Sequence, residues 1–165
     1  MSRDNTVLRG LLLGTVVTTL LLVAEGGGAP LREAAWILVG ATATMVTDAY
    51  ASHVSSHNNI GVGRYVAGLA RNVAHEWAMV VACLPTVVLL MLAALFGWHD
   101  DRENPDGSVT IGYTTIGANL NVVLLFIWGA IASWRNRVSL PWAVLFGFAN
   151  AALGLLIVTV ELALK

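Results

Sequence analysis

The segment 72–97, NVAHEWAMVVACLPTVVLLMLAALFG, decides the fold class of this chain of 165 residues. From Ala78 to Phe96 it contains no charged residue, and a bilayer core about 30 Å thick is crossed by roughly 20 apolar helical residues. The whole chain is 57% hydrophobic and 12% charged, about half the charged fraction usual in soluble domains. Its mean hydropathy is +0.74. The sequence therefore predicts an all-α membrane protein.

Similar apolar runs lie on both sides of this segment and account for nearly the whole chain. The predicted transmembrane helices are 6–24, 34–56, 72–97, 111–134 and 141–164. They form one transmembrane domain over residues 1–165 and leave no room for a soluble domain. Although Arg3 and Arg9 precede the first run as in a signal peptide, no convincing cleavage pattern follows, so we expect a retained helix. The main break is the acidic loop 97–112, GWHDDRENPDGSVTIG, which is rich in turn residues.

The distribution of cations predicts the orientation, because cytoplasmic segments carry an excess of arginine and lysine. With the N-terminus inside, six of the nine cations are cytoplasmic. These are Arg3, Arg9, Arg64, Arg71, Arg135 and Arg137. Seven acids fall on the opposite side, which is consistent with this orientation. They are Glu25, Glu33, Asp100, Asp101, Glu103, Asp106 and Glu161. We expect an N-inside, C-outside protein of the plasma (inner) membrane.

Composition also argues against several classes of function. The single Cys83 excludes an intramolecular disulfide, and the net charge of −1 without a basic patch gives no sign of a nucleic-acid partner. No nucleophile with a nearby base and no glycine-rich phosphate loop is present, so we do not expect an enzyme. The expected partners are the lipid bilayer, a second copy of the chain in a homodimer, and a possible membrane protein.

The stretch 41–59, ATATMVTDAYASHVSSHNN, places an acid inside a predicted span. At about 100° per residue, one face of this helix carries a group of mostly polar side chains. They are Thr44, Met45, Asp48, Ser52, Ser55 and Ser56, with His53 at the edge of the face and His57 pointing away. Because a carboxylate facing lipid costs several kcal/mol, we expect Asp48 to face the bundle interior or water. It would then either serve a function or hold helices together through Ser52 or Thr44.

The next predicted helix carries a second such face. Its residues are Asn72, His75, Glu76, Met79, Cys83 and Thr86. If the two faces meet, a half-channel open to the cytoplasm would contain ligands suited to a divalent transition metal such as Fe or Mn. The candidate metal ligands are Met45, Asp48, His75, Glu76 and Met79, with Ser52 and His53 as proton-carrying or gating residues. Met79 and Cys83 taken singly are also ordinary core residues. No closed ligand motif is present.

Short motifs resemble the vacuolar iron transporter (VIT)-like family over most of the chain. The family's second helix carries a pattern close to S-M-x-x-G-E-Y-x-S, and residues 44–52 are TMVTDAYAS, in which Met45, Tyr50 and Ser52 match in register. The first helix, VLRGLLLGTVVTTLLLVAEGGG (7–28), is similar to the family's opening helix. The segment 124–158, with Gly129, a basic turn and Gly147, is similar to its last two helices.

This resemblance implies a five-helix dimer that exports Fe²⁺ and similar ions from the cytosol, coupled to protons, with Met45 as a pathway ligand. Three departures stand beside it. The family's membrane glutamate falls at Ala49, one position after Asp48. Its first-helix acid falls at Val17. The cytoplasmic metal-binding helices are missing, because residues 57–71 form only a short loop by prediction.

Two hypotheses follow from these observations. In the first, the chain is a VIT-like divalent metal transporter, possibly proton-coupled, with the metal as substrate and Asp48 as the binding carboxylate. In the second, it is a non-transporting accessory or assembly subunit on a VIT-like scaffold that has lost the pathway acids. The tryptophans near the span ends suit a protein partner, but they also suit simple anchoring at the membrane interface.

Overall fold

The computed structural model describes residues 3–56, 62–106 and 108–164. Within these residues the chain folds into six α-helices and one short antiparallel β-pair. The helices are α1 (Arg3–Glu25), α2 (Pro30–Ser56), α3 (Val62–His75), α4 (Ala78–Phe96), α5 (Tyr113–Arg135) and α6 (Leu140–Leu164). The strands β1 (Arg102–Glu103) and β2 (Val109–Thr110) pair within the acidic loop. The predicted all-α fold is thus confirmed, with a two-residue ladder as its one β element in the described residues.

Four segments are long and apolar enough to cross a membrane. They are Thr6–Glu25, Gly68–Phe96, Tyr113–Arg135 and Leu140–Val160. The predicted count was five. Although α2 is 27 residues long, its mean hydropathy is too low for a spanning segment, because Asp48 and the threonines of this helix lower the average. By length and composition the chain is an integral membrane protein with four such segments among its described residues.

The region between α2 and α4 differs from the prediction. The loop predicted for residues 57–71 is wrong from Val62 onward, because α3 runs from Val62 to His75. The predicted helix 72–97 is also interrupted at Glu76 and Trp77, and α4 begins at Ala78. Glycines lie on both sides of Val62, but the apolar residues from Val62 to Val73 recur at the spacing of one helix face, which is typical of a helix.

Small residues let α1 and α4 approach closely. A Cβ atom added at Gly10 would lie 3.1 Å from the Cβ atom of Ala78, and one added at Gly14 would meet the Met79 carbonyl and lie 2.8 Å from the Cβ atom of Ala82. The Gly-x-x-x-Gly spacing of α1 therefore faces the Ala-x-x-x-Ala spacing of α4. Membrane helices without a hydrophobic driving force between them depend on such close packing.

The helix α1 lies at the centre of the bundle, where it contacts α2, α4, α5 and α6. The most extensive helix pair is α5 with α6. Its contacts explain the stripe that the sequence places on the last helix, since Gly147 lies against Phe126, Asn150 against Gly129, and Gly154 against Leu125. These contacts use the small residues of α6 for packing within the chain.

Two contacts identify the ends of the bundle. At one end the Tyr113 hydroxyl donates to the Gly28 carbonyl at 2.6 Å, which ties the α1–α2 turn to the start of α5. At the other end Arg9 of α1 contacts Asp48 of α2. We call these the acidic end and the cationic end after the charged residues that the helix directions bring to each.

We expect Gly14→Ala to destabilise the bundle by about 1–3 kcal/mol, because the new methyl group has to displace the α4 backbone. Gly10→Ala is the matched control on the same face. It meets only the Ala78 methyl group and its neighbouring backbone at 3.1 Å or more, so it costs less. Thermal unfolding in detergent measures both. Equal losses, or a larger loss at Gly10, would contradict the close approach of α1 to α4 at Gly14.

Candidate functional site

Asp48, the acid inside the second predicted span, pairs with an arginine of the neighbouring helix. One Nη2 atom of Arg9 donates to both carboxylate oxygens of Asp48, at 2.6 Å and 2.8 Å. The Asp48 side chain is 22% exposed and that of Arg9 is 42% exposed. The pair joins α1 to α2 because these helices run in opposite directions, so the start of one lies beside the end of the other. Asp48 is thus neutralised by Arg9, and this partner was absent from the predicted site.

The other predicted residues of α2 surround this pair unequally. Met45 and Ser52 are half-buried, whereas Ala49 and His53 are completely buried. The His53 ring packs against α3, where a Cβ atom added at Gly68 would lie 2.7 Å from its Cε1 atom. His57 lies outside the described residues. On α2, therefore, the buried face passes through Ala49 and His53, and Asp48 lies at its edge.

The polar face predicted on the following helix is divided among different neighbours. Met79 is completely buried and its backbone faces Gly14 of α1. Cys83 is also buried, and its Sγ atom donates to the Val80 carbonyl of its own helix. Thr86 donates to the Asn121 side-chain oxygen of α5 at 2.6 Å. The structure therefore does not gather these groups with Asp48 into one half-channel lining.

The residues His75 and Glu76 lie where α3 ends. Glu76 is buried, and its carbonyl accepts from the Met79 amide at the start of α4. His75 is the last residue of α3, and its side chain lies outside the described part of the chain. Among the described residues, no group of three or more His, Cys, Asp or Glu side chains is arranged to bind a metal ion.

A buried carboxyl group at the acidic end was missed as a site. Glu33 is 0% exposed, and its Oε1 atom accepts from the Gly28 amide at 2.9 Å and lies 3.2 Å from the Tyr113 hydroxyl oxygen. Its Oε2 atom has no hydrogen-bond partner among the described residues. Burial raises the pKa of Glu33 above its ordinary value, and the hydrogen bond from Gly28 only partly opposes this. In the sequence Glu33 was one of several acids near a helix end, and only the fold distinguishes it.

A cavity of about 280 Å³ lies near Glu33 at the same end, between the α1–α2 turn and the start of α5. Its polar lining includes Asp100, Asp101 and Thr114. Asp101 already has local partners, because it accepts from the Gly112 amide and from the Thr115 hydroxyl and so caps the start of α5. The Thr114 hydroxyl is buried without a hydrogen-bond partner in the described chain.

A second buried polar pair lies between α4 and α5. Asn121 is completely buried, with its oxygen bonded to Thr86 and its Nδ2 atom without a partner among the described residues. Interhelical bonds of this kind hold membrane helices together. The sequence identified both residues as polar but did not pair them, because their positions are 35 residues apart.

A comparison with known proteins adds no relative. No protein-family model matches the chain, and no curated protein or solved structure matches it. The resemblance to the VIT-like family therefore stays a prediction based on the short motifs of α1, α2, α5 and α6.

We expect Arg9 and Asp48 to stabilise the bundle as a pair. In a double-mutant cycle, Arg9→Gln and Asp48→Asn should each lower stability, and the double variant should lose less than the sum of the two. The coupling should be about 1 kcal/mol, since both side chains are partly exposed and solvent weakens the attraction. Thermal unfolding in detergent provides the four values. Strictly additive losses would show that the two charges do not interact.

We expect Glu33 to make stability depend on pH. Because its pKa is raised in the folded protein, stability is highest below the unfolded pKa of about 4.3 and falls as the pH rises through the folded value. Glu33→Gln removes the charge, so the variant should be more stable than the wild type at pH 8 and no more stable at pH 4.

The control is Asp106→Asn in the exposed acidic loop. The Ser108 hydroxyl lowers the pKa of Asp106, so its contribution has the opposite sign and is lost as the pH falls. This variant should gain nothing at pH 8. A gain by Asp106→Asn equal to that by Glu33→Gln would mean that the effect comes from net charge and not from the buried carboxyl group.

Proposed function

We propose that the chain is a VIT-like transporter of divalent transition-metal ions of the Fe or Mn type, in which Asp48 is the ion-binding carboxylate. The proposal includes five spans, an N-inside, C-outside orientation in the plasma (inner) membrane, a homodimer, and proton-coupled export from the cytosol. The observation that carries it is the Asp48–Arg9 pair, since a chain with several helices of spanning length holds a partly exposed carboxylate beside a partly exposed counter-cation.

The partners of the α2 charges support α2 as the fifth span. A hydropathy average counts Asp48 as an unpaired charge facing lipid, but in this structure the Asp48 carboxylate is paired with Arg9. Glu33 precedes the proposed span 34–56 and is buried against Gly28 and Tyr113. A 27-residue helix is about 40 Å long and packs along both α1 and α4. Intramembrane charges with such partners are the kind that functional sites contain.

Ion binding in this proposal is an exchange at Asp48. Arg9 stays protonated, so it cannot leave the carboxylate by losing a proton and must move away. A divalent cation competes with it because it carries twice the charge, and a proton competes by neutralising Asp48 directly. Only one of the three occupies the carboxylate at a time, and this competition would couple metal movement to proton movement.

The residues near Asp48 would complete the path. Met45 lies three positions before Asp48 and Ser52 four positions after it, so both share its helix face, and both are half-buried and within reach of a passing ion. A thioether and a hydroxyl beside a carboxylate favour transition metals over Mg²⁺. Met79 packs against Gly14, so we assign it to helix packing, and His53 to gating through its contact with α3. His75 and Glu76 stay as proposed ligands from the α3–α4 junction.

The test is metal uptake by liposomes that contain the purified protein and a dye sensitive to Fe²⁺ or Mn²⁺. Asp48→Asn should abolish transport, because the carboxylate is lost while the side chain keeps its shape. Arg9→Gln removes the competing cation and should lower the metal concentration for half-maximal transport, on the order of tenfold. Asp106→Asn is the control, since it removes an acid from the exposed loop and should leave transport unchanged.

Normal transport by Asp48→Asn would disprove this mechanism. The second candidate is the non-transporting accessory or assembly subunit, and a specific feature favours it. The positions where the VIT-like family carries its membrane acids hold Ala49 and Val17, and Ala49 is completely buried. If this candidate is right, wild-type liposomes take up no metal, and variants at Arg9 and Asp48 change stability only.

A further inference from the structure

The helix α3 is unlike the other helices of the chain, because its apolar and basic residues separate onto different sides. The apolar residues repeat at the spacing of one helix face: Val62, Val66, Leu69 and Val73. The basic residues repeat about half a turn away: Arg64, Arg71 and His75. Low overall hydrophobicity with a strong separation of faces is typical of helices that lie in the membrane interface.

Exposed tryptophans indicate where the membrane boundary lies relative to α3. Trp77 is 52% exposed immediately before α4, and Trp98 is 45% exposed just after it. They are 21 residues apart, or about 31 Å along a helix, which matches the hydrocarbon thickness of a bilayer. Trp134, 66% exposed at the end of α5, lies at the same end of the bundle as Trp77. Such tryptophans sit at the level of the lipid headgroups.

The position of Trp77 puts α3 outside the hydrocarbon core. The apolar segment Gly68–Phe96 contains 29 residues, more than the roughly 20 that crossing requires, so residues 68–75 are not needed inside the bilayer. The interruption at Glu76 and Trp77 separates α3 from α4 at this boundary. The junction thus divides a spanning helix from one that begins at headgroup level.

The packing of α3 leaves its apolar side incompletely covered. α3 packs against α2, with Gly68 beside His53. By register Gly68 lies toward the basic side of the helix, about 100° from Leu69 and about 140° from Val73, so this contact does not cover the centre of the apolar face. Leu69 and Val73 remain half-buried, and Arg71 is exposed. An apolar strip with an exposed arginine on the opposite side of the same helix, at headgroup level, is complementary to a bilayer with anionic lipids, whose phosphates attract arginine.

We propose that α3 is an interfacial helix that binds the anionic lipid surface at the cationic end of the bundle. Leu69 and Val73 enter the boundary between headgroups and acyl chains, and Arg71 contacts lipid phosphates. Through the contact between Gly68 and His53, this surface also holds the end of α2. The inference depends on the chain being a membrane protein and does not depend on metal transport.

The depth of α3 is measured with a fluorophore on adjacent residues. Cys83→Ala removes the native thiol, and Val73→Cys or Ala74→Cys then carries an environment-sensitive label. The full chain is placed in nanodiscs of phosphatidylglycerol and phosphatidylcholine with a spin-label quencher near the headgroup. These neighbours differ by about 100° around the helix. The label at 73 should be quenched several-fold more than that at 74. Equal quenching, or none at either position, would overturn the proposal.

The lipid charge is tested with the label at 73. Arg71→Gln should lower the ratio of membrane-bound to free α3 about fivefold in discs with phosphatidylglycerol, and should change little in phosphatidylcholine alone. Arg137→Gln is the control, because it removes the same charge from the exposed α5–α6 turn at the same end. Equal effects of the two variants, or no effect of Arg71→Gln, would overturn the binding of anionic lipid by Arg71.

Discussion

The constraint on which this structure depends is that the charges on α2 need partners from other helices. An isolated carboxylate is costly in a membrane, so it is either paired, protonated or placed in water. α2 carries one acid near each end, and the two are satisfied differently. Asp48 is paired with Arg9 of α1, whereas Glu33 is buried with a raised pKa beside Tyr113 of α5. These two contacts hold α2 at both ends of the bundle.

Between these contacts, small residues set the distances between helices. Gly10 and Gly14 let α1 meet the backbone of α4, and Gly147 and Gly154 let α6 meet α5. Dispersion forces between closely packed helices replace the hydrophobic effect in a lipid environment. The close approach of α1 to α4 also keeps Arg9 at the level where it reaches Asp48, since both contacts lie on the same turns of α1. Packing and charge pairing are therefore parts of one arrangement.

The same arrangement bears on both candidate functions. If the chain transports ions, Asp48 is available only when Arg9 moves, and the small exposed fraction of the carboxylate makes that exchange sensitive to anything that shifts α1 against α2. If the chain is a non-transporting subunit, the Arg9–Asp48 pair only holds α1 against α2. α3 bears on the same point, because it packs beside His53 five residues beyond Asp48 and touches the membrane surface by our inference. A change in lipid charge would then reach the end of α2.

The sequence by itself determined the class and the helices, because apolar runs of spanning length admit little else in a membrane. Four of the five predicted helix ranges agree with the structure within a few residues. The sequence also identified Asp48 as exceptional, because a charged residue inside an apolar run is visible without a three-dimensional structure.

Only the tertiary structure decided which groups meet. The Arg9–Asp48 pair spans 39 positions and the Glu33–Tyr113 contact spans 80, and helical spacing carries no information about such distances. From the sequence we assumed that the polar faces of neighbouring helices turn toward each other. Instead Met79 faces α1 and Thr86 bonds to α5, because close packing at Gly14 and pairing with Asn121 set the rotation of α4. α3 was missed although its apolar residues recur at helical spacing, because its place beside the end of α2 depends on a contact that only the tertiary structure shows.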